Sequence, residues 1–217
     1  MKRTLLLAAF AGASLATAAL AQAPAPAPGG KADLAQAETI AKNVCAACHG
    51  IDGNSASPAN PNLAGQSAEY IALQLAHFQS GIRVNPVMQA MAATLKPEEM
   101  KALGVYFAQQ KPKGLAAKDA ELAAVGQKVY RGGDAARGVP ACAACHSPNG
   151  VGIAKNYPRL AGQHADYTLA QLKAFRADER GADKAGKDTN GKIMATIADR
   201  LSDAQMKALA EYTSGLH

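Results

Sequence analysis

The pattern of apolar and polar positions separates an N-terminal apolar run from a longer amphipathic part of the chain. Residues 5–20 follow a basic start and are largely apolar and small, and residues 21–23 (Ala-Gln-Ala) fit a small–x–small cleavage site. This pattern predicts a secretory signal peptide over residues 1–23. An uncleaved anchor is the alternative, but a run of about 16 residues is short for a membrane span. The Pro- and Ala-rich residues 24–31 predict a flexible tether.

Beyond the tether, apolar residues recur at helical spacing, and no segment alternates Val, Ile or Thr with polar residues. Two Gly/Pro/Asn-rich segments, 50–62 and 147–157, predict loops. The pattern therefore predicts an all-α fold. The predicted helices are Ala32–Val44, Asp119–Tyr130, Ser67–Gln79, Ala165–Ala177, a helix from Pro97 to about Gln110, and a helix from the capping box Ser202-Asp-Ala-Gln205 to about Ser214.

The amphipathic part of the chain repeats itself. Residues 45–49 recur 97 positions later, and further matches follow in the same order, so we interpret the chain as a duplication of one domain. The boundaries predicted are 32–110 for the N-terminal domain, 111–118 for the linker and 119–217 for the C-terminal domain. The pairs at an offset of 97 include Pro61/Pro158, residues 63–66/160–163 (Leu-Ala-Gly-Gln), Tyr70/Tyr167, Gln74/Gln171 and Phe78/Phe175; at 106 they are Met88/Met194, Met100/Met206 and Tyr106/Tyr212.

Composition changes this picture in two ways. The chain of 217 residues is 48% apolar but has no Trp, 4 Phe and 6 Tyr, so each of two small domains would have a thin core unless another group fills it. The formal net charge of +6 falls to +4 without Lys2 and Arg3, and the basic residues are scattered. A nucleic-acid partner is therefore not expected.

Each predicted domain contains one C-x-x-C-H motif, the signature of covalent haem attachment. Two thiols three positions apart can add to the two vinyl groups of one haem, and the adjacent His can bind the iron. A thioredoxin-type dithiol would need a βαβ context, zinc would need a fourth ligand, and disulfides stay open on the basis of export alone. The motif residues are Cys45, Cys48 and His49 in the first half and Cys142, Cys145 and His146 in the second.

The sixth iron ligand distinguishes electron transfer from ligand chemistry. Met88 and Met194 are repeat-equivalent and precede the last predicted helix of their halves, so they are the axial candidates. We expect Met88 in a loop that follows Pro86. Met91 is the main alternative to Met88 as the axial ligand. Met100 and Met206 lie at apolar positions inside helices and are expected in the core.

Two further histidines and two prolines lie near the motifs in the sequence. His77 pairs with an Ala in the repeat and is expected in packing, whereas His164 leaves bis-His ligation open at the second haem. The carbonyls near Pro61 and Pro158 are expected to accept the N–H of the proximal His, because both prolines follow the His by 12 residues. Such a bond would fix the ring and raise its donor strength.

The tandem C-x-x-C-H motifs, each followed by Pro-x-Leu-x-Gly and then by a Met before a terminal helix, resemble class I c-type cytochromes. The fused pair, with Leu-Ala-Gly-Gln in both halves and the ending Tyr212-x-x-Gly215-Leu216-His217, resembles the dihaem cytochrome c4 family. The resemblance implies two all-α haem domains related by a pseudo-twofold axis, His/Met iron in both, and haem propionate edges at the domain interface.

The function expected from these motifs and this resemblance is that of a periplasmic electron carrier rather than an enzyme. The resemblance implies a quinol:cytochrome c reductase as donor and a terminal haem–copper oxidase as acceptor. A monomer of two domains is expected, and peripheral membrane association is left open by the tether. The alternatives are a cytochrome subunit of a periplasmic dehydrogenase and a dihaem peroxidase with one open iron position.

Overall fold

A computed structural model describes residues 31–153, 156–181 and 186–216. The predicted signal peptide and residues 24–30 of the predicted tether lie outside the described residues. The described part is helical and has two isolated β-bridges, Asp134 with Val139 and Ile153 with Tyr157. The all-α prediction is therefore confirmed for the residues that the structure describes.

The N-terminal half contains helices α1 to α5. Helix α1 continues through one π-helical turn, Ala41–Cys45, directly into α2, so the whole first motif lies at the end of one helical segment. The helices are α1 (Lys31–Ile40), α2 (Ala46–His49), α3 (Ala68–Ser80), α4 (Pro86–Ala92) and α5 (Pro97–Ala108).

The C-terminal half repeats this order with helices α6 to α10, but α6 ends ten residues before its first motif cysteine. A 3₁₀ turn at Ala135–Arg137 lies in the intervening loop. The predicted capping box is present, because Ser202 accepts from Gln205 N and Gln205 accepts from Ser202 N. The helices are α6 (Ala120–Gly132), α7 (Ala143–His146), α8 (Ala165–Arg176), α9 (Thr189–Asp199) and α10 (Asp203–Ser214).

The expectation of a loop at Met88 is wrong, because Met88 lies in the first turn of α4. The Asn85 side chain accepts a hydrogen bond from Met88 N at 2.9 Å, and Pro86 occupies the first helical position. An Asn cap followed by Pro is a favourable helix start, so the residues expected in a loop begin a helix instead. Met194 likewise lies within α9.

Helix glycines allow close packing in both halves. A Cβ on Gly104 of α5 would lie 2.2 Å from the Ala68 carbonyl oxygen of α3, and one on Gly126 of α6 would lie 2.0 Å from the Ala208 carbonyl oxygen of α10. Met100 and Met206 are buried, as the sequence analysis expects. No helix within the described ranges is long and apolar enough to span a bilayer.

The two halves meet through a crossed set of side chains, which we call the guanidinium cluster. Arg83 donates to Tyr167 Oη at 2.9 Å, and Arg180 donates to Tyr70 Oη at 2.7 Å. Both guanidinium groups also bond a glutamine of each half and stack on a Phe of their own half. The members are Tyr70, Gln74, Phe78 and Arg83 with their counterparts 97 positions later, Tyr167, Gln171, Phe175 and Arg180.

Candidate haem sites

The two motif histidines have the same environment. Both are buried, and both place the ring Nδ1 at 2.9 Å from a proline carbonyl oxygen: His49 from Pro61, and His146 from Pro158. The structure thus brings together the pairs that the sequence analysis connected.

This contact determines the tautomer of each ring. A carbonyl oxygen only accepts hydrogen bonds, so Nδ1 carries the proton and Nε2 keeps its lone pair. Burial lowers the pKa of His49 and of His146, and it outweighs the opposite effect of the bond to the proline carbonyl. Each His is therefore a neutral imidazole with Nε2 available to a metal, which is the form that binds haem iron.

A glycine that the sequence analysis did not single out holds each proline segment in place. The Gly53 carbonyl oxygen accepts from Leu63 N at 2.7 Å, and the Gly150 carbonyl oxygen accepts from Leu160 N at 2.8 Å. Both glycines have positive φ, +74° and +69°, a conformation that side-chain-bearing residues rarely adopt. Their separation of 97 residues is the signal that could have found them.

None of the four motif cysteines forms a disulfide within the described residues. Burial raises the pKa of Cys45 and of Cys142 to about 11, so both remain protonated at neutral pH. Two thiols three positions apart next to a buried, neutral His fit covalent attachment of a haem through its vinyl groups.

The candidate methionine ligands are partly buried. Met88 is half-buried, whereas Met91 on the same helix is 43% exposed. Met194 is half-buried and packs against the C-terminal core. Exposed apolar side chains flank these positions and the motifs, which fits an apolar ring at each site; they are Val44, Ile51, Val84, Val87, Val151, Ile153 and Ile193.

The other two described histidines face the domain interface. His77 is buried in α3, and its Nδ1 lies 3.9 Å from Asp188 Oδ2 of the opposite half. His164 places Nε2 at 3.0 Å from the Ser55 carbonyl oxygen, also in the opposite half. The contact with Ser55 occupies the His164 ring nitrogen that bis-His ligation would use.

Comparisons with known proteins agree with this geometry. A family model described as "Cytochrome c" matches residues 114–216, and one described as "Cytochrome C oxidase, cbb3-type, subunit III" matches residues 32–107. The chain is 43% identical to cytochrome c4 of Pseudomonas aeruginosa over 176 residues, which cover 80% of this chain and 84% of that protein. It is 40% identical to a thiosulfate dehydrogenase electron acceptor of Thiomonas intermedia over 171 residues, covering 77% and 76%.

A solved structure agrees in fold as well as in sequence. The crystal structure of reduced recombinant cytochrome c4 from Pseudomonas stutzeri matches with a TM-score of 0.77 and 38% identity, covering 88% of this chain and all of that one. Two covalent c-type haems are thus the cofactors, and the peroxidase alternative does not apply. The chain belongs to the cytochrome c4 family of dihaem electron carriers.

Proposed function

We propose that this protein shuttles single electrons in the periplasm, with His49 and Met88 as iron ligands in the N-terminal domain and His146 and Met194 in the C-terminal domain. When bound, each haem supplies a one-electron Fe(III)/Fe(II) couple. The observation that carries the proposal is the pair of 2.9 Å contacts from His Nδ1 to a proline carbonyl, which leave Nε2 of both rings for iron.

The residues of the chain have distinct roles in this proposal. Cys45, Cys48, Cys142 and Cys145 form the thioether bonds that hold each ring. Pro61 and Pro158 orient the proximal His, and a methionine thioether closes the last iron position, favours ferrous iron and leaves no site for substrate. The methionine-bearing helices α4 and α9 pack against α3 and α8, which keeps these ligands nearly stationary and lowers the cost of changing oxidation state.

Domain organisation and export complete the proposal. Residues 1–23 direct export, 24–31 are the tether, and the two haem domains extend over 32–110 and 119–217 with a linker at 111–118. This linker is held to both domains: the Asn54 side chain accepts from Lys113 N at 2.9 Å, and the Glu211 carboxylate accepts from Lys118 N. A fixed linker supports electron exchange between the two centres of a monomer.

For partners, we propose a quinol:cytochrome c reductase as donor and a terminal haem–copper oxidase as acceptor. A second candidate is the acceptor of a periplasmic dehydrogenase, favoured by the 40% identity to a thiosulfate dehydrogenase electron acceptor. Stopped-flow reduction of the purified protein by each donor separates the two. If the first candidate is correct, the reductase reduces the protein at least tenfold faster than a thiosulfate dehydrogenase does. Faster reduction by the thiosulfate dehydrogenase would support the second candidate.

Single substitutions test the methionine ligands. Met88→Ala and Met194→Ala should each remove half of the weak near-infrared charge-transfer band of ferric Met–iron, because one of two thioether bonds is lost. Met91→Ala is the matched control on the same helix and should keep the full band. Loss of the band in Met91→Ala, with retention in Met88→Ala, would overturn the assignment of Met88.

A further inference from the structure

The peptide unit that joins Pro61 to Asn62 is hydrogen-bonded at both of its polar atoms. Its carbonyl oxygen accepts from His49 Nδ1 at 2.9 Å. Its N–H, on Asn62, donates at 2.8 Å to Oε1 of Gln163, which belongs to the C-terminal domain. Gln163 Nε2 also donates to the Asn62 carbonyl oxygen at 3.0 Å. A side chain of one domain thus holds the backbone that orients the proximal His of the other.

The reciprocal arrangement is present at the second site. The peptide unit between Pro158 and Arg159 accepts from His146 Nδ1 at 2.9 Å, and its N–H donates at 2.9 Å to Oε1 of Gln66 in the N-terminal domain. Gln66 Nε2 donates to the Arg159 carbonyl oxygen at 3.0 Å. Both glutamines are buried, at 7% exposure for Gln66 and 8% for Gln163, so water competes little for these bonds.

These contacts have an electronic consequence. A peptide N–H that donates a hydrogen bond polarises its own carbonyl, which then becomes a better acceptor, and this cooperativity is larger in a buried environment. A stronger acceptor at His Nδ1–H increases the electron donation of the imidazole to a bound metal. Greater donation stabilises ferric iron over ferrous iron and so lowers the reduction potential.

We propose that Gln163 is a positioning residue that lowers the reduction potential of the N-terminal haem, and that Gln66 does the same for the C-terminal haem. The inference rests on the proposed function in one respect, that His49 and His146 bind iron. Each domain thereby tunes the centre of the opposite domain, and separation of the domains would raise both potentials.

The decisive experiment substitutes Gln163 by Met, which has a similar length but no amide. NMR-monitored redox titration of the purified holoprotein follows the haem methyl signals of the two centres separately. In Gln163→Met the ferrous-to-ferric ratio of the N-terminal haem at a fixed potential should rise about twofold to fivefold, or about 20–40 mV at 59 mV per tenfold. The C-terminal haem should keep its potential, although it is in the same domain as Gln163. In Gln66→Met, the potential of the C-terminal haem should rise and that of the N-terminal haem should not change.

The matched control is His164→Ala. It removes the interdomain contact with the Ser55 carbonyl but leaves both proline peptide units untouched. It should leave both potentials unchanged. Equal shifts of both haems in Gln163→Met, a shift of the same-domain haem alone, no shift, or the same shift in His164→Ala would each overturn the proposal. Gln163→Asn, whose amide is one methylene shorter, provides the same test if Gln163→Met does not fold.

A second readout reports on the hydrogen bond itself. In ferrous Gln163→Met, the Nδ1–H of His49 should exchange with solvent at least several-fold faster than in the parent protein, and that of His146 should not change. Unchanged exchange at His49 would overturn the proposal. Failure of the iron-ligand assignment is recognised separately. If His49 and His146 do not bind iron, the unmodified protein lacks iron-shifted ring signals for these two residues.

Discussion

The N- and C-terminal domains present the same His–Pro geometry but support it in different ways. In the N-terminal domain, α1 continues through the π-helical turn Ala41–Cys45 into α2, which ends at His49. In the C-terminal domain, residues 133–141 separate α6 from the motif, and Tyr130 of α6 spans the gap by donating to the Ser147 carbonyl oxygen at 2.7 Å. The functional geometry is therefore set by the short segment around each motif, and the scaffold behind it can vary.

The cores differ more than the sites do. Three of the six buried residues in the N-terminal cluster are alanines, whereas the C-terminal cluster contains two tyrosines, a phenylalanine and a methionine. Apolar burial stabilises roughly in proportion to the area removed from water. The N-terminal domain thus depends more on its haem as a core component. The clusters are Ala37, Ala41, Ile71, Ala102, Leu103 and Phe107, and Val129, Tyr130, Val139, Phe175, Ala198, Leu201, Met206, Leu209 and Tyr212.

Removal of one haem should produce the largest difference between the domains. Cys45→Ala with Cys48→Ala should unfold the N-terminal domain, because its alanine-rich core has little else to bury. Cys142→Ala with Cys145→Ala should leave α6 and α10 packed together. Hydrogen exchange resolved by domain measures both variants. Greater protection in the haem-free N-terminal domain than in the haem-free C-terminal domain would contradict the comparison.

Substitution of the glycines at the helix contacts should have the next largest effect on stability. Gly126→Ala should destabilise the C-terminal domain by about 3 kcal/mol, because the new Cβ cannot coexist with the Ala208 carbonyl without separating α6 from α10. Gly104→Ala should act similarly in the N-terminal domain, through α3 and α5. Denaturant unfolding followed by domain-specific probes measures this. Gly132→Ala, whose Cβ would meet nothing within 4 Å, is the control and should not destabilise.

The two arginines of the guanidinium cluster should differ although their partners are equivalent. Arg83 is buried, whereas Arg180 is partly exposed. Arg83→Met should cost about 2–3 kcal/mol, since buried polar partners lose a charged donor, and Arg180→Met should cost about 1 kcal/mol, since water replaces the bonds. Thermal unfolding at equal protein concentration compares them. Equal losses would show that burial does not distinguish the two sides of the interface.

The smallest predicted difference concerns the helices that carry the methionines. Gln79 Nε2 donates to the carbonyls of Ala92 and Leu95 at 3.0 and 2.9 Å, which secures the end of α4. Gln79→Leu should cost about 1 kcal/mol, because the end of α4 loses these side-chain bonds while the Ala92 carbonyl keeps its bond from Leu95 N. At its repeat position, Arg176 makes an exposed ion pair with Asp203, and Arg176→Leu should leave stability nearly unchanged, because water screens the pair.

The near-infrared Met–iron charge-transfer band compares the effects of Gln79→Leu and Arg176→Leu on the iron ligands. Gln79→Leu should weaken the Met88 contribution to the band as α4 loosens, whereas Arg176→Leu should leave the Met194 contribution intact. An unchanged band in both variants would mean that the end of α4 does not control the ligand.

Much of the fold followed from local sequence. Ser67 and Asp119 cap the helices that the apolar spacing predicted, and Ser202 with Gln205 forms its capping box. The short α4 was missed, because seven residues with one apolar face give too weak a period to separate from a loop.

What the sequence by itself determined is the chemistry: two C-x-x-C-H motifs, a duplication that pairs His49 with His146 and Met88 with Met194, and capping residues that mark several helix ends. These are properties of neighbouring positions and of repetition. Only the tertiary structure decided which backbone each Gln66 and Gln163 amide meets, and that Arg83 and Arg180 cross to the opposite domain. Such contacts join residues about 80 to 110 positions apart, where no spacing rule applies and the relative placement of two packed domains sets each distance.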